Sequence, residues 1–217
     1  MEGEPFMDPT LESLYNAILT GKREEAVAGT EAALEADLPA TDILHDGLIS
    51  AMDKVGELFE ANEYFVPEML ISARAMQSAL GVLRPHLVEA DVQSRGKMVV
   101  GTVQGDLHDI GKNLVAMMVE GAGFDIIDLG TDVSPEEFVE AIKDSKADFV
   151  GLSALLTTTL TMMSKTIQAI SEAGLRDKVK IIIGGAPATP DLAEEIGADG
   201  YAPDAGTAAS LVKRMAA

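Results

Sequence analysis

One short stretch holds most of the reactive chemistry of this chain: Gly105-Asp106-Leu107-His108-Asp109-Ile110-Gly111-Lys112-Asn113. An imidazole stands between two carboxylates, with a glycine on either side. A histidine with one ring nitrogen bonded to a carboxylate can offer the other to a metal, and the acid orients the ring and raises its basicity. Spacing argues against two other chemistries. A phosphate-cradling P-loop has four residues between its glycines and a serine or threonine after its lysine. Here five residues separate Gly105 from Gly111, and Asn113 follows Lys112. The zinc-protease pair His-Glu-x-x-His is absent. The plainer alternatives are a hydrogen-bonded loop histidine and, at Asp106, a carboxylate that stabilises a turn. The other histidines, His45 and His86, each fall in a helical pattern.

The stretch is flanked by an apolar run over 98–103, which reads as a buried strand, and a helical pattern over 114–119 that stops at Gly121. A strand–loop–helix junction of this kind is where an open α/β sheet presents ligands, outside the carboxyl ends of its strands. Further short apolar runs at 124–129, 147–152, 179–183 and, weakly, 198–202 alternate with amphipathic helices. Near-continuous apolar character predicts strands covered on both faces, as in a parallel sheet. Ser134-Pro135-Glu136-Glu137 reads as a capping box with proline in the first turn, and Thr189-Pro190 repeats the cap and proline. Five βα units predict a flavodoxin-like α/β domain over 97–217 with strand order 2-1-3-4-5. Its switch point would lie between the first and third strands, whose following loops contain His108 and Ser153.

Residues 1–88 read as a helical bundle. Leu11, Leu14, Tyr15, Ile18 and Leu19 have helical spacing, with Gly21 as a stop. Ala26, Val27, Thr30, Ala33 and Leu34 mark a second helix that breaks at Leu38-Pro39. Thr41 is expected to cap a third, with Leu44, Leu48, Met52, Val55 and Phe59 as its apolar face. Pro67 suits the first turn of a fourth helix carrying Met69, Leu70, Ala73, Met76, Leu80 and Leu83. Residues 89–96 have no period and read as a linker.

The chain of 217 residues is long enough for one large core or two small ones. Its net charge of −20 comes from 16 basic against 36 acidic residues, which disfavours nucleic acid and anionic membranes as partners. Without cysteine it forms no disulfides and no cysteine-ligated iron–sulfur cluster. Met1-Glu2-Gly3-Glu4-Pro5 lacks the basic and apolar regions of a signal peptide, and no apolar run approaches the roughly 20 residues that span a bilayer. A cytoplasmic location is the expectation.

The order Asp-x-His-x-x-Gly, followed by Ser153-Ala154-Leu155 and Gly184-Gly185 after later apolar runs, resembles the cobalamin-binding domain of methionine synthase and of the small corrinoid proteins that serve methyltransferases. The similarity spans nearly the whole chain. It implies that cobalamin is bound base-off/His-on: His108 is the lower axial cobalt ligand, displacing the benzimidazole, whose nucleotide tail enters the sheet domain. Asp106 would accept a hydrogen bond from the imidazole and raise its basicity. Thr159 stands where methionine synthase has a serine, completing an Asp–His–hydroxyl relay that couples proton uptake to cobalt coordination.

The resemblance also makes Gly105, Asp109, Ile110, Gly111, Ser153, Leu155, Thr157, Gly184, Gly185, Ala186 and Tyr201 cofactor-binding positions. Ser153 and Thr157 could instead cap the helix that follows, and the glycine pair could be an ordinary strand-to-helix turn. The helical domain would cap the corrin, with Phe65, Met69, Leu70 and Met76 as candidates, although apolar residues at helical spacing are usually core.

The implied function is methyl carriage on cobalt, with methylcobalamin as the loaded state, by a subunit that is not catalytic alone. Its partners would be a substrate-specific methyltransferase, an acceptor methyltransferase using a thiol or folate, and a reductive activase. Methylamines, methanol, betaine and aryl methyl ethers all remain open as donors. Rival readings are a cobalamin-dependent regulator or photosensor and the cobalamin subunit of a mutase.

Overall fold

The computed structural model describes residues 8–90 and 94–216, with residues 88 and 89 described by their backbone alone. The amino-terminal residues 1–5 and the middle of the expected linker, 91–93, lie outside the described residues. By its contacts the chain divides into two compact units, Met1–Gln93 and Ser94–Ala217.

The first unit is helical: α1 (Pro9–Leu19), α2 (Arg23–Glu35), α3 (Ala40–Asp42), a π-helical stretch (Ile43–Ile49), α4 (Ser50–Glu60) and α5 (Val66–Glu89). Asp8 caps α1 through the Thr10 amide at 2.8 Å, and Gly21 turns the chain with φ of +69°. Leu14, Ile18, Ala33, Leu48, Val55, Met69, Met76 and Leu83 are among its fully enclosed side chains. Each large one contributes about 1.5–3 kcal/mol by leaving water.

Thr41 does not act as the expected cap. The helix starts at Ala40 after Pro39, whose carbonyl accepts the Asp42 and Ile43 amides, and Thr41 Oγ1 instead donates to Asp42 Oδ1 at 3.1 Å. The wider π winding then places Ile43, Leu48, Met52 and Val55 in the interior, leaving Leu44 and Phe59 half-buried. Gly47 lies in this stretch against Leu14, where a Cβ would come within 2.8 Å of Leu14 Cδ2.

The second unit is a five-stranded all-parallel sheet of order 2-1-3-4-5: β1 (Lys97–Thr102), β2 (Asp125–Asp128), β3 (Phe149–Ser153), β4 (Lys180–Gly184) and β5 (Gly200–Ala202). The connecting helices are α6 (Ile110–Gly121), α7 (Pro135–Ser145), α8 (Leu160–Glu172), α9 (Pro190–Ile196) and α10 (Ala205–Ala216). Side chains alternate across the strands, so each face has its own core. Val99, Val150, Leu152, Ile181 and Ile183 pack with Phe138 and Ile142 of α7, Met163, Ile167 and Ile170 of α8, and Ala193 of α9. On the other face, Gly200 admits Leu211 of α10, and Gly151 leaves room for Met98.

Ser134 and Glu137 form the reciprocal capping box before α7, and Thr189 Oγ1 accepts the Leu192 amide before α9. One boundary differs from the sequence expectation. Ile110, Gly111, Lys112 and Asn113 belong to α6 rather than to the loop, because the Asp109 carbonyl and carboxylate take the backbone and side-chain N–H groups of Asn113 and close the first turn.

Candidate functional site

At the carboxyl end of the sheet, register aligns Thr102 with Ser153, Ser153 with Gly184, and Gly184 with Ala202. This row of small residues lies beneath the loops that follow β1 and β3. The β1–α6 loop rises above it. Thr102 Oγ1 donates to the His108 carbonyl at 2.9 Å, fastening the loop to the end of its own strand.

Asp106 is wholly buried, although the residues on both sides of it are exposed. Its Oδ1 accepts from His108 Nδ1 at 2.7 Å and from the His108 amide at 3.1 Å. Its Oδ2 accepts from the amides of Leu155 at 2.7 Å and Leu156 at 3.1 Å, and from Thr159 Oγ1 at 2.8 Å. Burial alone would push this carboxyl up. The hydrogen bonds from the His108 ring and from the Leu155, His108 and Leu156 amides outweigh it and hold the group well below the usual carboxylate range.

An ionised Asp106 only accepts, so Nδ1 of His108 carries a proton, and in the neutral ring this leaves the lone pair on Nε2. Among the described residues Nε2 takes no protein hydrogen bond, and the ring is half exposed. Thr159 Oγ1 also lies 2.8 Å from the Leu156 carbonyl, so its one proton is shared between two acceptors, and its oxygen accepts no cap hydrogen bond at the start of α8.

This geometry sets the acid response of the cofactor-free protein. A folded-state value lowered by hydrogen bonding adds stability that is complete above the unfolded carboxyl value, about 3.9, and is lost as pH falls below it. Acid titrations followed by circular dichroism should show wild-type stability dropping below about pH 4 and Asp106→Asn losing less over the same interval. Parallel curves would remove Asp106 from the acid response.

Ser153 is half-buried at the end of β3, while Thr157 and Ala186 are exposed. Leu155 contributes its amide to Asp106. Gly184 and Gly185 are required by the protein's own backbone: a Cβ on Gly185 would stand 1.9 Å from the Ala154 carbonyl oxygen, and one on Gly184 3.0 Å from that of Ala202. Tyr201 is not grouped with these positions. It packs against the core on the α7–α9 side, whereas Ser153 and Gly184 belong to the alternate register row.

In the helical unit, Met69 and Met76 are interior and so are corrected from cap candidates to core. Phe65 is exposed and Leu70 half-buried; Val66 and Ile71, not singled out from sequence, are exposed as well. Thr102 and Leu156 were also missed. Leu156 acts through a backbone amide, which any residue type supplies.

The residues around His108 suit a metal that arrives in a macrocycle. Among the described residues no cluster of three ligating side chains exists, so a metal at His108 must bring its other ligands. The surroundings are apolar and open: Leu107 is 72% and Ile110 78% exposed, Leu155 and Leu156 are exposed too, and nothing lies within 4 Å of where a Cβ on Gly111 would sit. Exposed aliphatic side chains grouped in this way mark a binding surface.

Two family models match the chain, both described as B12 binding domain, over residues 96–210 and 10–84. Fold and site together define a B12-binding protein, whose cofactor is a corrinoid. Over 208 residues the chain is 42% identical to dimethylamine corrinoid protein 1 of Methanosarcina acetivorans, covering 95% of this chain and 97% of that one. It is similar to a solved cobalamin-binding protein from Desulfitobacterium hafniense, at 32% identity and TM-score 0.77 over 94% of this chain and 97% of the other. It also resembles a chain of the methanol:cobalamin methyltransferase complex of Methanosarcina barkeri, at 27% identity and TM-score 0.86 over 96% of this chain and 80% of that one. The chain belongs to the corrinoid proteins. Among the described residues no helix is long and apolar enough to cross a membrane.

Proposed function

We propose that this chain holds its corrinoid base-off, with His108 Nε2 on cobalt, and carries a methyl group from a methylamine-specific methyltransferase to an acceptor methyltransferase. The observation carrying this reading is the half-exposed imidazole whose Nδ1 is tied to a buried, ionised Asp106 and whose Nε2 is bare. When bound, the corrin supplies a cobalt centre that accepts and releases a methyl group.

The chain's own residues orient and tune. Asp106 fixes the ring tautomer and raises the basicity of Nε2. Thr159, Leu155 and Leu156 keep Asp106 charged, so a proton arriving when the ring is free settles on the imidazole. The small row Thr102, Ser153, Gly184 and Ala202 leaves space for a nucleotide tail, with the hydroxyl of Ser153 free of protein partners among the described residues. The exposed Phe65, Val66 and Ile71 give the helical unit an apolar surface suited to covering a ligand.

Likeness to a dimethylamine corrinoid protein favours a methylamine donor. Reduction by an activase, a thiol or folate acceptor and a cytoplasmic location complete the reading. The test is reconstitution with cobalamin and a reductant, followed by mono-, di- or trimethylamine with its methyltransferase and a thiol acceptor with its own. Transfer of labelled methyl from an amine to the acceptor, dependent on this chain, is expected. Transfer from methanol alone, or from no donor, would overturn the assignment.

A further inference from the structure

The connection between β2 and α7 does more than link them. It runs beside the exit of β1 and extends the parallel pairing beyond the last strand residue, with Val103 bridged to Val133. The Thr102 amide donates to the Gly130 carbonyl at 3.0 Å, and the Val133 amide donates to the Thr102 carbonyl at 3.0 Å. One step further along, Asp132 makes a reciprocal clasp. Its amide donates to the Asp106 carbonyl at 3.0 Å, and its Oδ1 accepts the Gly105 amide at 2.7 Å.

Both partners sit in the left-handed region, Asp132 at φ +57° and Gly105 at φ +83°. A non-glycine residue in that region is uncommon, and aspartate and asparagine tolerate it best. The clasp lies on the backbone of the residue whose carboxylate orients His108. It approaches from β2, whereas the donors from Leu155, Leu156 and Thr159 approach from the β3–α8 loop.

We propose that Asp132 is a positioning residue: its carboxylate fixes Gly105 and Asp106, and through them the direction in which the His108 ring points. This rests on His108 being the cobalt ligand. Asp132 touches no reacting atom; it acts by limiting the arc through which the Asp106–His108 pair can swing.

Two substitutions isolate the carboxylate from the backbone conformation. Asp132→Gly keeps the left-handed turn without strain but removes the acceptor. Asp132→Asn keeps both the turn and an oxygen acceptor. The cofactor-free chain has three histidines, so ring nitrogen-15 signals can be assigned by subtracting the His108→Ala spectrum.

Wild type and Asp132→Asn should show a slowly exchanging Nδ1–H on His108 and bind cobalamin alike. Asp132→Gly should broaden or lose that signal and bind cobalamin about 10-fold more weakly, the size of effect seen when a ligand's supporting partner is removed. An unchanged ring signal and affinity in Asp132→Gly overturns the proposal. So does an Asp132→Asn that fails as badly as the glycine variant. A wild-type spectrum without the Nδ1–H signal sinks the His108 reading itself, which separates the two failures.

Discussion

Cobalamin reconstituted into His108→Ala is expected to bind at least about 100-fold more weakly than to wild type, and its Co(II) spectrum should carry no histidine-nitrogen coupling. Losing a hydrogen-bonded partner of a metal ligand typically costs 10–100-fold in affinity, so losing the ligand should reach or pass the upper end. The fold should survive the change. The ring is half exposed, and Asp106 keeps the amides of His108, Leu155 and Leu156 and the Thr159 hydroxyl. Unfolding should shift by about 1–3 kcal/mol, because the change removes one charge-assisted hydrogen bond from a buried carboxylate. Nitrogen-15 histidine in the wild-type chain, compared with labelled cobalamin, identifies the nitrogen on the metal. A benzimidazole coupling in wild type, or a histidine coupling that survives in the variant, would remove His108 from the metal.

The largest loss of stability is expected from Gly185→Ala, about 3 kcal/mol or more. The new Cβ would stand 1.9 Å from the Ala154 carbonyl oxygen, 2.9 Å from its carbon and 3.2 Å from its nitrogen, all backbone atoms that cannot swing aside. The φ of +120° adds strain of its own, of order 1–3 kcal/mol. Gly105→Ala is the matched control. It also has positive φ, +83°, yet its Cβ would meet only Thr159 Cγ2 at an ordinary 3.6 Å, so a loss near 1–2 kcal/mol is expected. Urea unfolding of the two variants measures the difference. Equal losses would mean that backbone angle, rather than the approach of Ala154, makes glycine necessary at position 185. A displaced Ala154 would also move the neighbouring Leu155 and Leu156 amides away from Asp106.

The parts of this molecule written in side-chain type were legible in advance. Apolar runs located β1 to β5 and supported their order, and Ser134 and Thr189 announced α7 and α9. What escaped was conveyed by backbone. Nothing in a leucine signals that the amides of 155 and 156 will converge on a carboxylate some 50 residues earlier in the chain. The π winding at Ile43–Ile49 changes the helical period that the expected apolar face relied on, which is why Leu44 was overrated. Met69 and Met76 show a related limit: helical spacing locates an apolar stripe but not which of its members stays outside. Tyr201 was assigned by its place in a motif, and strand alternation, which sets the face its ring packs on, was not weighed.

Every acceptor position on Asp106 is filled by donors from this chain itself. The entropy of aligning the ring is therefore spent once, during folding, and is not charged again each time a cofactor arrives. Capture at this centre should behave like docking onto a rigid socket. The ordering still to be paid falls on the exposed side chains of Leu107 and Ile110, which must settle against whatever they meet.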